Sequence, residues 1–188
     1  MSTTFNVTLK ALRQAGACYS GYNKVVRALQ AKDFTLEDQD RKSYIRYAHN
    51  DNISLKFILE SNGLEDTIWA LRCVDNVERD TRLYAVWCAR QVQSIMTDSR
   101  SITALDVAER YANGQATKVE LTAASDAAWT AAWAAASDAA SDAAWTAARA
   151  AAWAAAPAAA SDAASDAAWA AQKEMFVLMI NGAAPWQQ

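Results

Sequence analysis

Residues that form tight turns are scarce, because the chain of 188 residues has only 5 glycines and 2 prolines. The turns between β-strands depend on such residues, so their scarcity excludes a fold built mainly of strands. Alanine, the strongest helix former, supplies much of the 53% hydrophobic composition. The composition therefore predicts an all-α protein arranged as a multi-helix bundle.

Residues and motifs of enzyme and metal sites are equally few. The chain has one histidine, His49, and three widely separated cysteines, Cys18, Cys73 and Cys88, whose spacing is not that of metal ligands. The sequence contains no glycine-rich phosphate loop, G-x-S-x-G turn, H-E-x-x-H helix or C-x-x-C pair. We therefore expect a non-enzymatic protein with no catalytic residues, no metal and no cofactor.

Long apolar runs and basic stripes are missing as well. No segment is long and apolar enough to predict a membrane span, and the opening MSTTFNVTLK lacks the core of a signal peptide. Residues 1–120 contain 16 basic and 15 acidic residues, and residues 121–188 contain 2 and 6. This distribution offers no basic face for a phosphate backbone. We therefore expect a cytoplasmic protein that associates with neither membranes nor nucleic acid.

Residues 1–120 have the pattern of a helical N-terminal region. Tyr22, Val25 and Val26 recur at helical spacing and predict an amphipathic helix from Cys18 to Ala31. The helical spacing is clearest over residues 80–96, and Asn62-Gly63 is typical of a helix end. Residues 32–50 are polar and charged, with scattered apolar positions, which predicts a loop or an irregular helix.

A repeat of period four begins at Leu121. Thirteen tetrads run LTAA SDAA WTAA WAAA SDAA SDAA WTAA RAAA WAAA PAAA SDAA SDAA WAAQ. Alanine predicts long helices here, and Pro157 should interrupt them because it lacks a backbone donor. We predict at least two antiparallel helices, one on each side of Pro157, and a closing amphipathic helix from Trp169 to Ile180. Residues 121–188 would form a second region, continuous with the first in one domain.

The tryptophans of this tract are the candidate binding residues. Successive tetrads rotate by about 40° around a helix axis, so these side chains form no single stripe and serve either as core packing or as exposed anchors. Tryptophan and arginine dominate binding hot spots, and Arg149, between two tryptophans, is the strongest single candidate. The candidate set is Trp129, Trp133, Trp145, Arg149, Trp153 and Trp169.

Three segments of the first half carry a resemblance. They are AGAC at 15–18, WALR at 69–72 and LYAVWCAR at 83–90, followed by the alanine-rich tract and a last amphipathic helix. In this arrangement the chain resembles a family of alanine- and tryptophan-rich helical proteins of phages and bacteria, described as immunity proteins of toxin–immunity systems. The resemblance implies a helical, non-catalytic protein that neutralises a partner, and it identifies neither the partner nor the binding residues.

The leading hypothesis is a protein that binds and neutralises another protein, as an immunity-like or phage anti-defence inhibitor. One alternative is a sponge for a nucleotide or small molecule, which would stack between tryptophan and arginine side chains in an interhelical pocket. Another is a structural module whose alanine helices pack between protomers of a homo-oligomer. A flat patch of tryptophan and arginine favours the inhibitor, a concave pocket the sponge, and tryptophans buried across a two-fold axis the oligomer.

Overall fold

The computed structural model describes residues 5–91, 93–96, 98–130 and 158–188. The helices are α1 (Leu9–Gln14), α2 (Tyr19–Leu29), α3 (Leu36–Asp40), α4 (Leu55–Asn62), α5 (Leu64–Ala70), α6 (Glu78–Arg90), α7 (Ser99–Ala112), α8 (residues 118–130) and α9 (Ala158–Ile180). Short 3-10 turns occur at Leu71–Cys73, Gln93–Ile95 and Pro185–Gln187. The prediction of an all-α, multi-helix fold is confirmed.

Two strands of two residues each are the extended elements of the described chain. β1 (Asn6–Val7) and β2 (Ile53–Ser54) are antiparallel, with Val7 opposite Ile53. Both of these side chains are buried. The ladder therefore ties the entry of α1 to the entry of α4.

The chain divides into two compact units. The first unit is Met1–Val77 with Val177–Gln188, and the second unit is Glu78–Phe176. The predicted regions, residues 1–120 and 121–188 in one continuous domain, follow the change in composition and stay a prediction.

The core of the first unit is built on α2 and α4. Tyr22, Val25 and Val26 share one face of α2 and are buried, as the helical spacing of the sequence requires. Ile58 and Leu59 are buried side chains on the corresponding face of α4, and α4 packs on α2 and α5. α4 ends where Asn62-Gly63 predicts.

The polar stretch at residues 32–50 is held by buried polar side chains. It contains the short helix α3 and is otherwise irregular, as the sequence predicts. Asn23 is fully buried in α2, donates Nδ2 to the Ser43 carbonyl at 3.1 Å and accepts from the Ile45 amide at 2.8 Å. Buried backbone groups need such partners, so Asn23 fixes a segment that has few apolar anchors.

In the second unit α6 packs on α7. Arg90, the last residue of α6, contacts Asp106 at 2.8 Å and Glu109 at 2.6 Å on α7. The helical pattern over residues 80–96 overextends α6, which begins at Glu78 and ends at Arg90, before the 3-10 turn at Gln93–Ile95.

Two parts of the tetrad tract lie among the described residues, and both are helical. Residues 121–130 belong to α8 and residues 158–172 to α9. The closing helix begins at Ala158 instead of Trp169, because the SDAA tetrads contain nothing that ends a helix. Pro157 lies outside the described residues, so the break there and the antiparallel packing stay predictions.

Candidate functional site

Two of the six candidate binding residues lie among the described residues, and both are exposed. Trp129 on α8 is 69% exposed and Trp169 on α9 is 48% exposed. Neither side chain is packed into a core, although tryptophan is on average a well-buried residue. Trp133, Trp145, Arg149 and Trp153 lie outside the described residues.

The surface of α8 around Trp129 combines apolar and acidic groups. Val119 is 78% exposed on the same helix and, at 100° per residue, lies about 80° around the axis from Trp129. Asp126, three residues before Trp129, is also exposed and therefore lies on the same face. Half-buried alanines and Leu121 form the opposite face. The exposed face therefore carries two apolar side chains beside a carboxylate.

A capping box fixes the start of α8. The Glu120 amide donates to the Thr117 hydroxyl at 3.2 Å, and the Glu120 carboxylate accepts from the Thr117 amide at 2.7 Å. Hydrogen bonds from Thr117 also hold the pKa of Glu120 below its ordinary value.

A cavity of about 360 Å³ in the first unit was not predicted. It lies among α1, α2, α4 and α5, and two stretches of sequence, residues 12–25 and 58–70, supply its wall. The lining residues are Leu12, Gly16, Ala17, Cys18, Gly21, Tyr22, Val25, Ile58, Asn62, Glu65, Asp66, Trp69 and Ala70. The one relevant signal was the resemblance, since AGAC at 15–18 and WALR at 69–72 both contribute lining residues.

The polar side of the cavity is organised by Asn62. Its Nδ2 donates to the Gly21 carbonyl at 2.8 Å and to Asp66 Oδ2 at 2.7 Å. A side chain at Gly21 would place its Cβ 3.0 Å from Asp66 Oδ2 and 3.2 Å from Cys18 Sγ. Glycine at position 21 therefore lets α2 approach α5 closely at this wall.

Two carboxylates, Glu65 and Asp66, are the charged groups that line the cavity. No ion pair joins either of them to a basic side chain within the described ranges. Two guanidiniums lie nearby without lining the cavity. Arg13 is 5.8 Å from the Tyr22 ring centroid, and Arg72 is 4.5 Å from that of Trp69.

The three thiols differ in exposure. Cys18 is exposed and caps α2, accepting from the Gly21 amide at 3.3 Å. Cys73 and Cys88 are half-buried, and burial raises the pKa of both thiols. Cys18 is thus the accessible thiol, and it lies at the cavity wall.

Among the described residues, no group of three or more His, Cys, Asp or Glu side chains is arranged to hold a metal ion. In the same part of the chain, no helix is both long and apolar enough for a bilayer crossing. The sequence matches no protein-family model, no curated protein and no solved structure, so the resemblance to immunity proteins stays a prediction.

Proposed function

We propose that the protein binds another protein through the exposed tryptophans of its tetrad tract and neutralises it, as an immunity-like or anti-defence inhibitor. The observation that carries the proposal is the 69% exposure of Trp129. A tryptophan left in water gains from burial in a partner, and interface tryptophans contribute about 2 kcal/mol or more when they are hot spots.

The sequence around the exposed tryptophans indicates the chemistry of the partner surface. The pattern S-D-A-A-W ends at Trp129 in residues 125–129 and at Trp169 in residues 165–169, and it also occurs at residues 141–145, which lie outside the described residues. In a helix, an aspartate three residues before a tryptophan lies on the same face. A matching partner surface would have an apolar pocket that accepts the indole and a basic side chain at its rim.

The exposure of Trp129 and Trp169 on helix surfaces favours a protein partner over a sponge at these residues. The cavity of the first unit is lined by neither Trp129 nor Trp169. The described part of α8 exposes Trp129 on a face that also carries Val119 and Asp126. The Trp129 indole on this face can insert into an apolar pocket on the surface of a partner protein.

Affinity capture from bacterial lysates tests the proposal with three forms of the full chain. These are wild type, the double variant Trp129→Ala/Trp169→Ala, and the control Leu36→Ala, which removes a side chain that is 79% exposed in the first unit. We expect a protein that is retained by wild type and the control and lost by the double variant. The captured protein, produced alone, should lose its activity when wild type is added.

Identical captured proteins from all three forms, with equal helicity by circular dichroism, would contradict a role for the exposed tryptophans. Sedimentation of purified wild type and the double variant addresses the oligomer alternative. If wild type sediments as a dimer and the double variant as a monomer, the inhibitor proposal would be replaced by that of a self-associating module.

A further inference from the structure

The cavity of the first unit has the dimensions and lining of a small-molecule site. Its volume of about 360 Å³ falls within the range of ligand pockets, which typically combine apolar walls with a few polar groups. Leu12, Val25, Ile58 and Ala70 form an aliphatic part of its wall, and rings are supplied by Tyr22 and Trp69. A ligand with a compact apolar body fits such a wall.

The negative charge of the cavity wall determines the sign of the charge that a ligand should carry. Asn62 satisfies Oδ2 of Asp66, whereas Oδ1 accepts no hydrogen bond from a described residue. The Glu65 carboxylate is exposed and likewise has no hydrogen-bond partner within the described ranges. Two neighbouring carboxylates repel an anion and attract a cation that donates hydrogen bonds.

The aromatic rings of the wall also favour a cation. The guanidiniums of Arg13 and Arg72 lie over Tyr22 and Trp69, as expected from the negative faces of these rings. These two guanidiniums also repel a cation, which limits its affinity. The two carboxylates are part of the cavity wall and the two guanidiniums are not, so a bound ammonium group can reach the carboxylates directly.

We propose that this cavity binds a small organic ammonium ion, whose apolar body contacts Tyr22, Ile58 and Trp69 while its ammonium group donates to Glu65 and Asp66. The site is separate from the exposed tryptophans. Trp129 and Trp169 belong to the second unit and every lining residue belongs to the first. Either proposal therefore stands or fails without the other.

The test compares three probes of similar shape and different charge on the full chain. They are 2-phenylethylammonium, the neutral 2-phenylethanol and the anionic 3-phenylpropanoate, each titrated by calorimetry. We expect saturable binding of the ammonium, binding of the alcohol that is about tenfold weaker, and no binding of the anion.

Alkylation of Cys18 supplies an independent readout at the site. The thiol lines the cavity and is exposed, so a bound ligand should slow its reaction with iodoacetamide, as measured by mass spectrometry of the peptide. The labelling rate of Cys88 in the second unit should not change and serves as the internal reference.

Charge-neutralising variants complete the test. Glu65→Gln/Asp66→Asn should weaken ammonium binding at least tenfold and leave alcohol binding nearly unchanged. The matched control is Glu60→Gln, an exposed carboxylate on α4 that does not line the cavity. If the double variant unfolds, Glu65→Gln alone should weaken ammonium binding, since this exposed side chain supports no described contact.

Three results would overturn the proposal. The first is the absence of saturable ammonium binding at millimolar concentration. The second is equal affinity for the ammonium and the alcohol. The third is ammonium binding that neither protects Cys18 nor responds to the variants at Glu65 and Asp66.

Discussion

The guanidinium of Arg27 on α2 donates two hydrogen bonds to the carboxylate of Asp38 on α3, at 2.9 and 2.6 Å. Asp38 is 1% exposed and also caps its own helix by accepting from the amide and the hydroxyl of Thr35. A bidentate pair with satisfied lone pairs tolerates burial. The pair therefore anchors the polar stretch that follows α2.

Asp38→Asn should lower the midpoint of urea unfolding at neutral pH, because Arg27 loses its charged acceptor in a buried setting. The matched control is Glu37→Gln, whose carboxylate is 86% exposed and lies 3.6 Å from Arg41, and its midpoint should stay close to that of wild type. Equal midpoints for the two variants would contradict an anchoring role for Asp38.

The stabilisation by Asp38 should depend on pH. The hydrogen bonds from Arg27, above all, hold the pKa of this carboxyl well below its ordinary value. A depressed native pKa contributes stability above the unfolded value of about 3.9, and this stability is lost as the pH falls through the native pKa. The difference in unfolding free energy between wild type and Asp38→Asn should be constant from pH 7 to about pH 5 and shrink below about pH 4. A difference that grows on acidification would reverse the sign of this linkage.

Gly21→Ala should destabilise the chain by about 1 kcal/mol, because the added Cβ would lie 3.0 Å from Asp66 Oδ2. Removing that carboxylate relieves the contact, so Gly21→Ala should cost less in an Asp66→Ala background than in wild type. The four unfolding free energies of this double-mutant cycle measure the coupling. The same cost in both backgrounds would show that the crowding arises elsewhere, with Cys18 Sγ at 3.2 Å as the next neighbour.

Phe176→Ala should destabilise the chain by about 3–5 kcal/mol. The ring is fully buried and meets Tyr84 edge to face, with 5.4 Å between ring centroids. Tyr84 also donates its hydroxyl to the Gln172 carbonyl at 3.1 Å, so Tyr84→Phe should cost a smaller amount, about 1 kcal/mol. Urea unfolding monitored by circular dichroism measures both, and a larger loss for Tyr84→Phe than for Phe176→Ala would refute this account of the contact.

Trp129→Ala should change the free energy of unfolding by no more than about 0.5 kcal/mol, because the exposed side chain has little packing to lose. This measurement decides between packing and anchoring for the one tetrad tryptophan described on α8. A loss of several kcal/mol would assign Trp129 to a core.

Cys18 should react with iodoacetamide at least about tenfold faster than Cys73 or Cys88, because burial raises the pKa of the latter two thiols and restricts access to them. Mass spectrometry of the three peptides over time gives the rates, and the difference should vanish in urea. Native labelling of Cys88 as fast as that of Cys18 would contradict the described burial.

Local pattern predicted the helices well and their limits less well. The spacing of Tyr22, Val25 and Val26 sufficed to predict α2, because amphipathic periodicity follows directly from one buried face. The pattern over residues 80–96 overextended α6, since apolar residues continue beyond Arg90 into a 3-10 turn. The closing helix was predicted to begin at Trp169, which is too late, because the amphipathic pattern begins there. The helix already includes the alanine-rich residues from Ala158, where no amphipathic pattern indicates it.

The site was less predictable than the fold. Helical periodicity gives the direction of Trp129 around α8 and does not say whether another element covers it. The cavity escaped notice because Gly21, Asn62 and Asp66 come from three helices and acquire a shared role only when these helices meet. Asn62-Gly63 predicts only the end of a helix, and no motif of the sequence contains Gly21 or Asp66.

The first unit is discontinuous, and this has a consequence for synthesis. Residues 177–188 belong to the first unit, and two of them, Met179 and Ala184, are completely buried. They are synthesised roughly 100 residues after Val77. At typical elongation rates this interval lasts roughly 5–20 s. During that interval the nascent first unit lacks residues 177–188, and the alanine tetrads are among the residues translated before they appear. Adding or deleting tetrads lengthens or shortens this delay and changes the closure entropy only slowly, by about 0.6 kcal/mol per doubling of a flexible loop. A gene that gains or loses repeats would therefore change this delay in proportion to the number of tetrads, while the closure entropy changes only with the logarithm of the length.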